Sequence, residues 1–374
     1  MLLIWQFTII IKKETPFSMN QIVVVGAGAA GLATAARLAR HATCRVKLVD
    51  AAKTHFYQPI WTLVGGGLYP FEASAKSMAS LIPSGIEHVK SNLSGIEPNE
   101  SRITLDSGEQ LSYDVLVMAT GLELAYDAVD GLEVALSEDA RVCSNYSPVY
   151  VKKTYPAIDA FTGGQALFTQ PPMPFKCAGA PQKIMWIAED EWRERGIKPS
   201  IHFNTATPAI FGVPKYAAAL MKLAVARGVN VSTGSNLTAV DHVNSKAYFA
   251  DGQELDYDFL HVTPPQRPIA PLRADTSITD GAGWVTVNNH SMQHTQHDNI
   301  FALGDCSSLP TSKTAAAVAA QNVIVAKNVI SHLAGQQLDK SYEGYTRFVF
   351  LYLLSDFSNR TDNFFLSSRD GIHL

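Results

Sequence analysis

Apolar residues in this chain fall into short unbroken runs, and most of these runs lead into a helix-forming segment. Residues 21–25 (QIVVV) are a continuous β-branched run, the pattern of a parallel strand buried on both faces. An Ala-rich helix former follows at 32–40, and 45–49 is a second strand. Residues 102–121 predict a hairpin around Ser107 and Gly108, then an apolar strand running into Ala119, Thr120 and Gly121. Further on, the pattern predicts a short strand at 165–169, an amphipathic helix at 184–195, a strand at 200–203, a helix at 216–227 and a lead into another strand at 228–231. Residues 299–305 (NIFALGD) are again an apolar strand, and 312–320 open a last Ala-rich helix. Strands alternating with helices predict an α/β fold.

The chain also echoes itself. Residues 246–265 (KAYFADGQELDYDFLHVTPP) repeat 102–121 in order and type, with a turn at Asp251 and Gly252 and then an apolar strand. Such repetition predicts two nested Rossmann-like dinucleotide-binding domains, the second inserted in the first. The expected boundaries are 20–139 plus 268–340 for the outer domain, 140–267 for the insert, and 341–374 for a tail of different composition. Residues 1–19 are expected to be a leader outside the fold, with Met19 the better start.

Candidate chemistry begins where the first strand ends. Gly26, Gly28 and Gly31, with Ala29 among them, form G-x-G-x-x-G between strand and helix, and Asp50 ends the second strand. In that context the glycines permit a tight turn, close approach of a pyrophosphate and close helix packing, while Asp50 accepts from a ribose hydroxyl. With Thr120–Gly121 and Gly304–Asp305, the loop resembles the three separated motifs by which two-dinucleotide-domain flavoproteins hold FAD. The insert's first strand-to-helix turn should carry glycines for NAD. It reads PPMPFKCAGAPQK (171–183) instead, with Cys177 at its centre, which points to an electron donor other than NADH and to sulfur chemistry.

Composition narrows the choice of partners. A chain of 374 residues suffices for two domains, and 47% hydrophobic with 17% charged residues is a globular balance. A net charge of −4 with no basic cluster gives no support for nucleic-acid binding. Four cysteines (Cys44, Cys143, Cys177, Cys306) without a C-x-x-C pair make neither a disulfide scaffold nor a zinc site. His290, His294 and His297 lack helical ligand spacing and are expected to be solvated loop residues.

These features together resemble the sulfide:quinone oxidoreductases, in the branch with the mitochondrial enzymes. The matching blocks are HFYQPIWTLVG (55–65), SNYS (144–147), KCAGAPQKIM (176–185), LHVTPP (260–265), GDC (304–306) and LPTSKTAAAVAAQ (309–321). The resemblance implies FAD held by the Gly26–Gly31 loop, Asp50, Gln58, the region of Leu93, Asp305, and Lys313, Thr314, Ala315 and Ala316. It also implies a cysteine pair beside the flavin, of which Cys177 is one member. Hydrogen sulfide would be oxidised to a persulfide, ubiquinone would receive the electrons, and sulfite, glutathione or another sulfide would take the sulfane sulfur. The implied location is a membrane surface, the matrix side of the mitochondrial inner membrane or a bacterial plasma membrane.

One departure bears on activity. The family's second redox cysteine follows a block like YEGYT (342–346), but no cysteine occurs here after Cys306. An alternative exon, read-through or frameshift would account for the tail. Its apolar run 348–354 is too short to span a bilayer. Cys143 is the candidate substitute thiol, Cys306 a small packing residue and Cys44 inert. Two other readings stand beside impaired sulfide oxidation: a type II NADH:quinone oxidoreductase and a catalytically inactive FAD-binding paralogue.

Overall fold

The computed structural model describes residues 19–346. The leader before Met19, the tail after Thr346 and the expectations attached to both lie outside the described residues. Asn20–Val25 is the central strand of a five-stranded parallel sheet. The order is Ile300–Ala302, Val115–Met118, Asn20–Val25, Cys44–Val49, Ile86–Val89. Ile22, Val23 and Val24 are completely buried, as their β-branched run requires. The helices Ala29–Leu38 and Ala315–Leu333 pack together, joined by a hydrogen bond of 2.5 Å from Arg37 Nε to Asn322 Oδ1. An antiparallel sheet (Leu93–Glu97, Arg102–Leu105, Gln110–Ser112) adds Ile96, Ile103 and Leu105 to the same core.

A second parallel sheet has the order Val142–Cys143, Phe259–His261, Gln165–Gln170, Ser200–Thr205, Asn230–Thr233. Its own antiparallel sheet is Leu237–Asp241, Lys246–Phe249 and Glu254–Asp256. The two echoing segments therefore occupy equivalent places, each a hairpin feeding a strand of a parallel sheet. The helix Ala180–Glu194 covers the second sheet, burying Ile184, Met185, Ala188 and Trp192. The Trp192 ring packs tilted against Phe161, its centroid 4.4 Å away, and its Nε1–H donates to the Ile158 carbonyl at 2.9 Å.

Two antiparallel segments, Glu123–Leu124 and Gln266–Arg267, join the lobes. Arg267 and Arg273 share the Glu123 carboxylate at 2.7 and 2.6 Å.

The histidines need a correction. His294 is buried, not solvated: its Nδ1 accepts from the amides of Gln296 and His297 at 3.1 and 3.0 Å, and its Nε2 donates to the Ile278 carbonyl. The ring ties up its own turn, a use that ligand spacing does not reveal. Among the described residues no group of three or more His, Cys, Asp or Glu is arranged to hold a metal ion, and no helix is long and apolar enough to cross a membrane.

Candidate active site

Gly26 has a φ of +99°, and a Cβ there would lie 2.4 Å from the Ala119 carbonyl oxygen. A Cβ on Gly31 would come within 1.7 Å of the Gly26 carbonyl oxygen, so this glycine permits the close helix–strand packing. Gly28 differs. A Cβ there would meet no protein atom within 4 Å, and its φ of −69° suits any residue. The protein's own packing does not demand a glycine at Gly28, which leaves open space at the N-terminus of the helix that begins at Ala29, where an anion would be favoured.

Asp50 closes this end of the loop. Its Oδ2 accepts the Ala27 amide at 2.6 Å and its Oδ1 the Ala52 amide at 2.7 Å. Each oxygen keeps a second lone pair for a ribose hydroxyl. Leu93 opens a strand with its side chain in the core, so only its main chain is available to a ligand. Gly121 turns the chain at the end of the Val115–Met118 strand with φ +69°.

Gly304, Asp305, Lys313 and Thr314 line a common cleft with Ala317, Val318 and Gln321. Thr314 caps the Ala315–Leu333 helix, accepting the Ala317 amide on its hydroxyl at 3.1 Å, and Ala315 and Ala316 form the helix's first turn. Lys313 is buried. Its Nζ donates to the carbonyls of Asp305 and Ser307 at 2.6 and 3.2 Å and lies 4.1 Å from the centre of the Trp284 ring. Burial holds its ammonium below the usual lysine range, with Asp305 opposing that shift. The neighbouring Ser312 hydroxyl is buried with no protein partner, a donor facing the same cleft. An FAD phosphate or ribityl chain fits these residues: a glycine-lined helix N-terminus, a buried ammonium and an unpaired hydroxyl.

The Cys177 turn lies against this cleft. The Cys177 amide donates to the Lys313 carbonyl at 2.9 Å, and Lys176 and Lys313 form an isolated parallel bridge. Cys177 is partly exposed and has φ +51°, uncommon for a residue with a side chain. Its carbonyl accepts the Ala180 amide at 2.8 Å, and the Lys183 ammonium sits 3.8 Å from its sulfur. Lys176 reaches Gln58, Nζ to Oε1 at 3.0 Å, which draws Gln58 to the thiol turn. Gln266 accepts the Lys176 amide on its Oε1 at 2.8 Å, and the Tyr146 hydroxyl donates to the Lys176 carbonyl. Lys176 and Lys183 were within reach of the sequence, in the same block as Cys177. Tyr146 lay in the SNYS block, while Gln266, just past the LHVTPP block, had no comparable signal.

The substitute thiol does not fit its expected role. Cys143 is fully buried in the second sheet, its thiol donating to the Leu260 carbonyl at 3.7 Å. Burial pushes that thiol up to about 12, leaving it protonated, whereas a redox nucleophile must be a thiolate. Cys306 is also fully buried, directing its sulfur at the Met118 and Leu303 carbonyls. All four cysteines are free.

Residues 20–145 and 205–322 match the family described as "Pyridine nucleotide-disulphide oxidoreductase". The unmatched interval contains the Cys177 turn. The chain is 41% identical over 335 residues to "Sulfide:quinone oxidoreductase, mitochondrial" of Mus musculus, covering 87% of this chain and 74% of that protein. It is 39% identical over 343 residues to the protein of the same name from Dictyostelium discoideum, covering 90% and 76%. The structure of the sulfide:quinone oxidoreductase from Aquifex aeolicus superposes with a TM-score of 0.76 at 20% identity, covering 88% of this chain and 81% of that one; at that identity the likeness is one of fold.

Proposed function

Because the chain belongs to the sulfide:quinone oxidoreductase family and is an oxidoreductase of the flavoprotein disulfide-reductase fold, we propose that it oxidises hydrogen sulfide at Cys177 and passes the electrons through FAD to ubiquinone. The observation that carries this reading is the joining of a partly exposed thiol turn to the cofactor cleft, through the Cys177 amide and the Lys313 carbonyl.

FAD would be held by the Gly26–Gly31 loop, Asp50, Asp305, Lys313 and the first turn after Thr314, and when bound it supplies a two-electron acceptor. The protein's own part is at sulfur. The Lys183 ammonium lies 3.8 Å from the Cys177 sulfur, just before the N-terminus of the Ala180–Glu194 helix, and the left-handed turn at Cys177 is joined through its amide to Lys313 of the cleft. In the net step a bond would form between the sulfide and Cys177 sulfurs and each would give up a proton, with the electron pair released there needing the two-electron acceptor that FAD would supply on the way to ubiquinone. The persulfide sulfur leaves to sulfite, glutathione or another sulfide, which regenerates the thiol.

The second redox cysteine has no counterpart in this sequence, and Cys143 and Cys306 are enclosed. Sulfur therefore leaves Cys177 without passing through an internal disulfide, and turnover is impaired relative to relatives that carry the pair. The location that fits the relatives' names is the mitochondrion, with the inner-membrane surface as the place to meet ubiquinone.

Quinone reduction tests this reading. The FAD-loaded protein is given a soluble ubiquinone with either sulfide or NADH as donor, beside the Mus musculus relative. Sulfide-dependent reduction slower than the relative's, with none from NADH, is expected. NADH-driven reduction without a sulfide response would replace it with the type II NADH:quinone oxidoreductase reading.

A further inference from the structure

Lys313 makes two sets of contacts that belong to different parts of the molecule. Its main-chain carbonyl accepts the Cys177 amide at 2.9 Å, and the residue pairs with Lys176 as a parallel bridge. Its side chain goes the other way, to the carbonyls of Asp305 and Ser307 and onto the Trp284 ring. Packing alone would be served by a methionine, without the desolvation that a buried ammonium suffers. What the ammonium adds is one bond into the Gly304–Cys306 turn, at Asp305, and one to Ser307 just after it.

Cys177, for its part, adopts a left-handed conformation that its own side chain disfavours, so neighbouring contacts hold it there. The Lys313 carbonyl is one of them. One residue thus touches both the Gly304–Cys306 turn and the main chain of the thiol.

We infer that Lys313 is a positioning residue that couples occupancy of the cofactor cleft to the placement of the Cys177 sulfur, its ammonium sensing the Gly304–Cys306 turn and its carbonyl setting the thiol turn. The inference rests on the FAD reading above. It adds that the thiol's reactivity depends on the cofactor through a defined joint rather than through shielding by the flavin alone.

The test reads thiol chemistry instead of turnover. Protein with and without FAD, its flavin content checked by absorbance, is treated with limiting iodoacetamide, and carbamidomethylation of the Cys177 peptide is timed by mass spectrometry. The wild-type rates are expected to differ between the two states by about fivefold or more, the low end of ordinary coupling between sites. In Lys313→Met that still takes up FAD, the ratio is expected to fall to within about twofold, since the joint is cut while shielding remains. Should Lys313→Met fail to fold or to take up FAD, Trp284→Leu loosens the ammonium's seat without touching its charge, and its ratio is expected to fall as well. Equal wild-type rates, or a wild-type ratio kept by the variants, would overturn the coupling. Protein that takes up no FAD would overturn the cofactor reading first, and flavin absorbance separates that failure from the others.

Discussion

The Lys183 ammonium lies 3.8 Å from the Cys177 sulfur, one residue on the first turn of a helix and the other just before its start. The helix thus brings both its positive end and a full positive charge to the same atom. Replacing Lys183 by Met should slow modification of Cys177 by a negatively charged thiol reagent by roughly threefold or more, because a cation beside the sulfur attracts the incoming anion. Lys183→Arg should restore part of the rate. An unchanged rate in Lys183→Met would remove the lysine from the chemistry at Cys177.

Gly28 and Gly31 separate what the fold needs from what the ligand needs. Gly31→Ala forces a Cβ to within 1.7 Å of a main-chain oxygen and should unfold or displace the loop. Gly28→Ala meets no protein atom, so its urea midpoint should shift by an amount worth no more than about 1 kcal/mol. Its FAD affinity should nevertheless fall about tenfold or more, because the methyl occupies the pyrophosphate's approach. Equal FAD affinity in wild type and Gly28→Ala, by fluorescence titration, would contradict placement of the pyrophosphate there.

Cys143 and Cys177 should part company under the same reagent. With its thiol pushed up to about 12 and fully buried, Cys143 should stay unlabelled in the folded protein at pH 8 while Cys177 is modified. Cys143→Ala should preserve any sulfide-driven reduction of the flavin, at a stability cost of about 1 kcal/mol for the small cavity. Loss of that reduction in an intact, FAD-bound variant would return Cys143 to the redox chemistry.

The parts of the site legible in the sequence are those built from one continuous segment. The Gly26–Gly31 loop and Asp50 declare themselves because a strand, a turn and a helix must follow in order, and Cys177 stands out because its turn occupies a place where glycines are expected. The dual role of Lys313 depends on a main-chain bond to Cys177 across two lobes, which no local pattern encodes. Gln266 reaches the thiol turn from the two-stranded pair between the lobes, and Tyr146 from the loop after the Val142–Cys143 edge strand, contacts that depend on the folded register. His294 misled for the opposite reason: polar loop spacing suggested solvent, yet the ring is sealed in by the turn amides it caps. The burial that raises the Cys143 thiol is likewise invisible in its spacing, although burial bears on whether a thiol ionises.

The most direct measurement is an anaerobic titration of the FAD-loaded protein with sodium sulfide near neutral pH, following the visible flavin band. The account predicts that sulfide bleaches the band in the wild-type chain, and that Cys177→Ser binds FAD but does not bleach. A wild-type protein that holds FAD and stays unbleached, or a Cys177→Ser variant that bleaches as the wild type does, would contradict it.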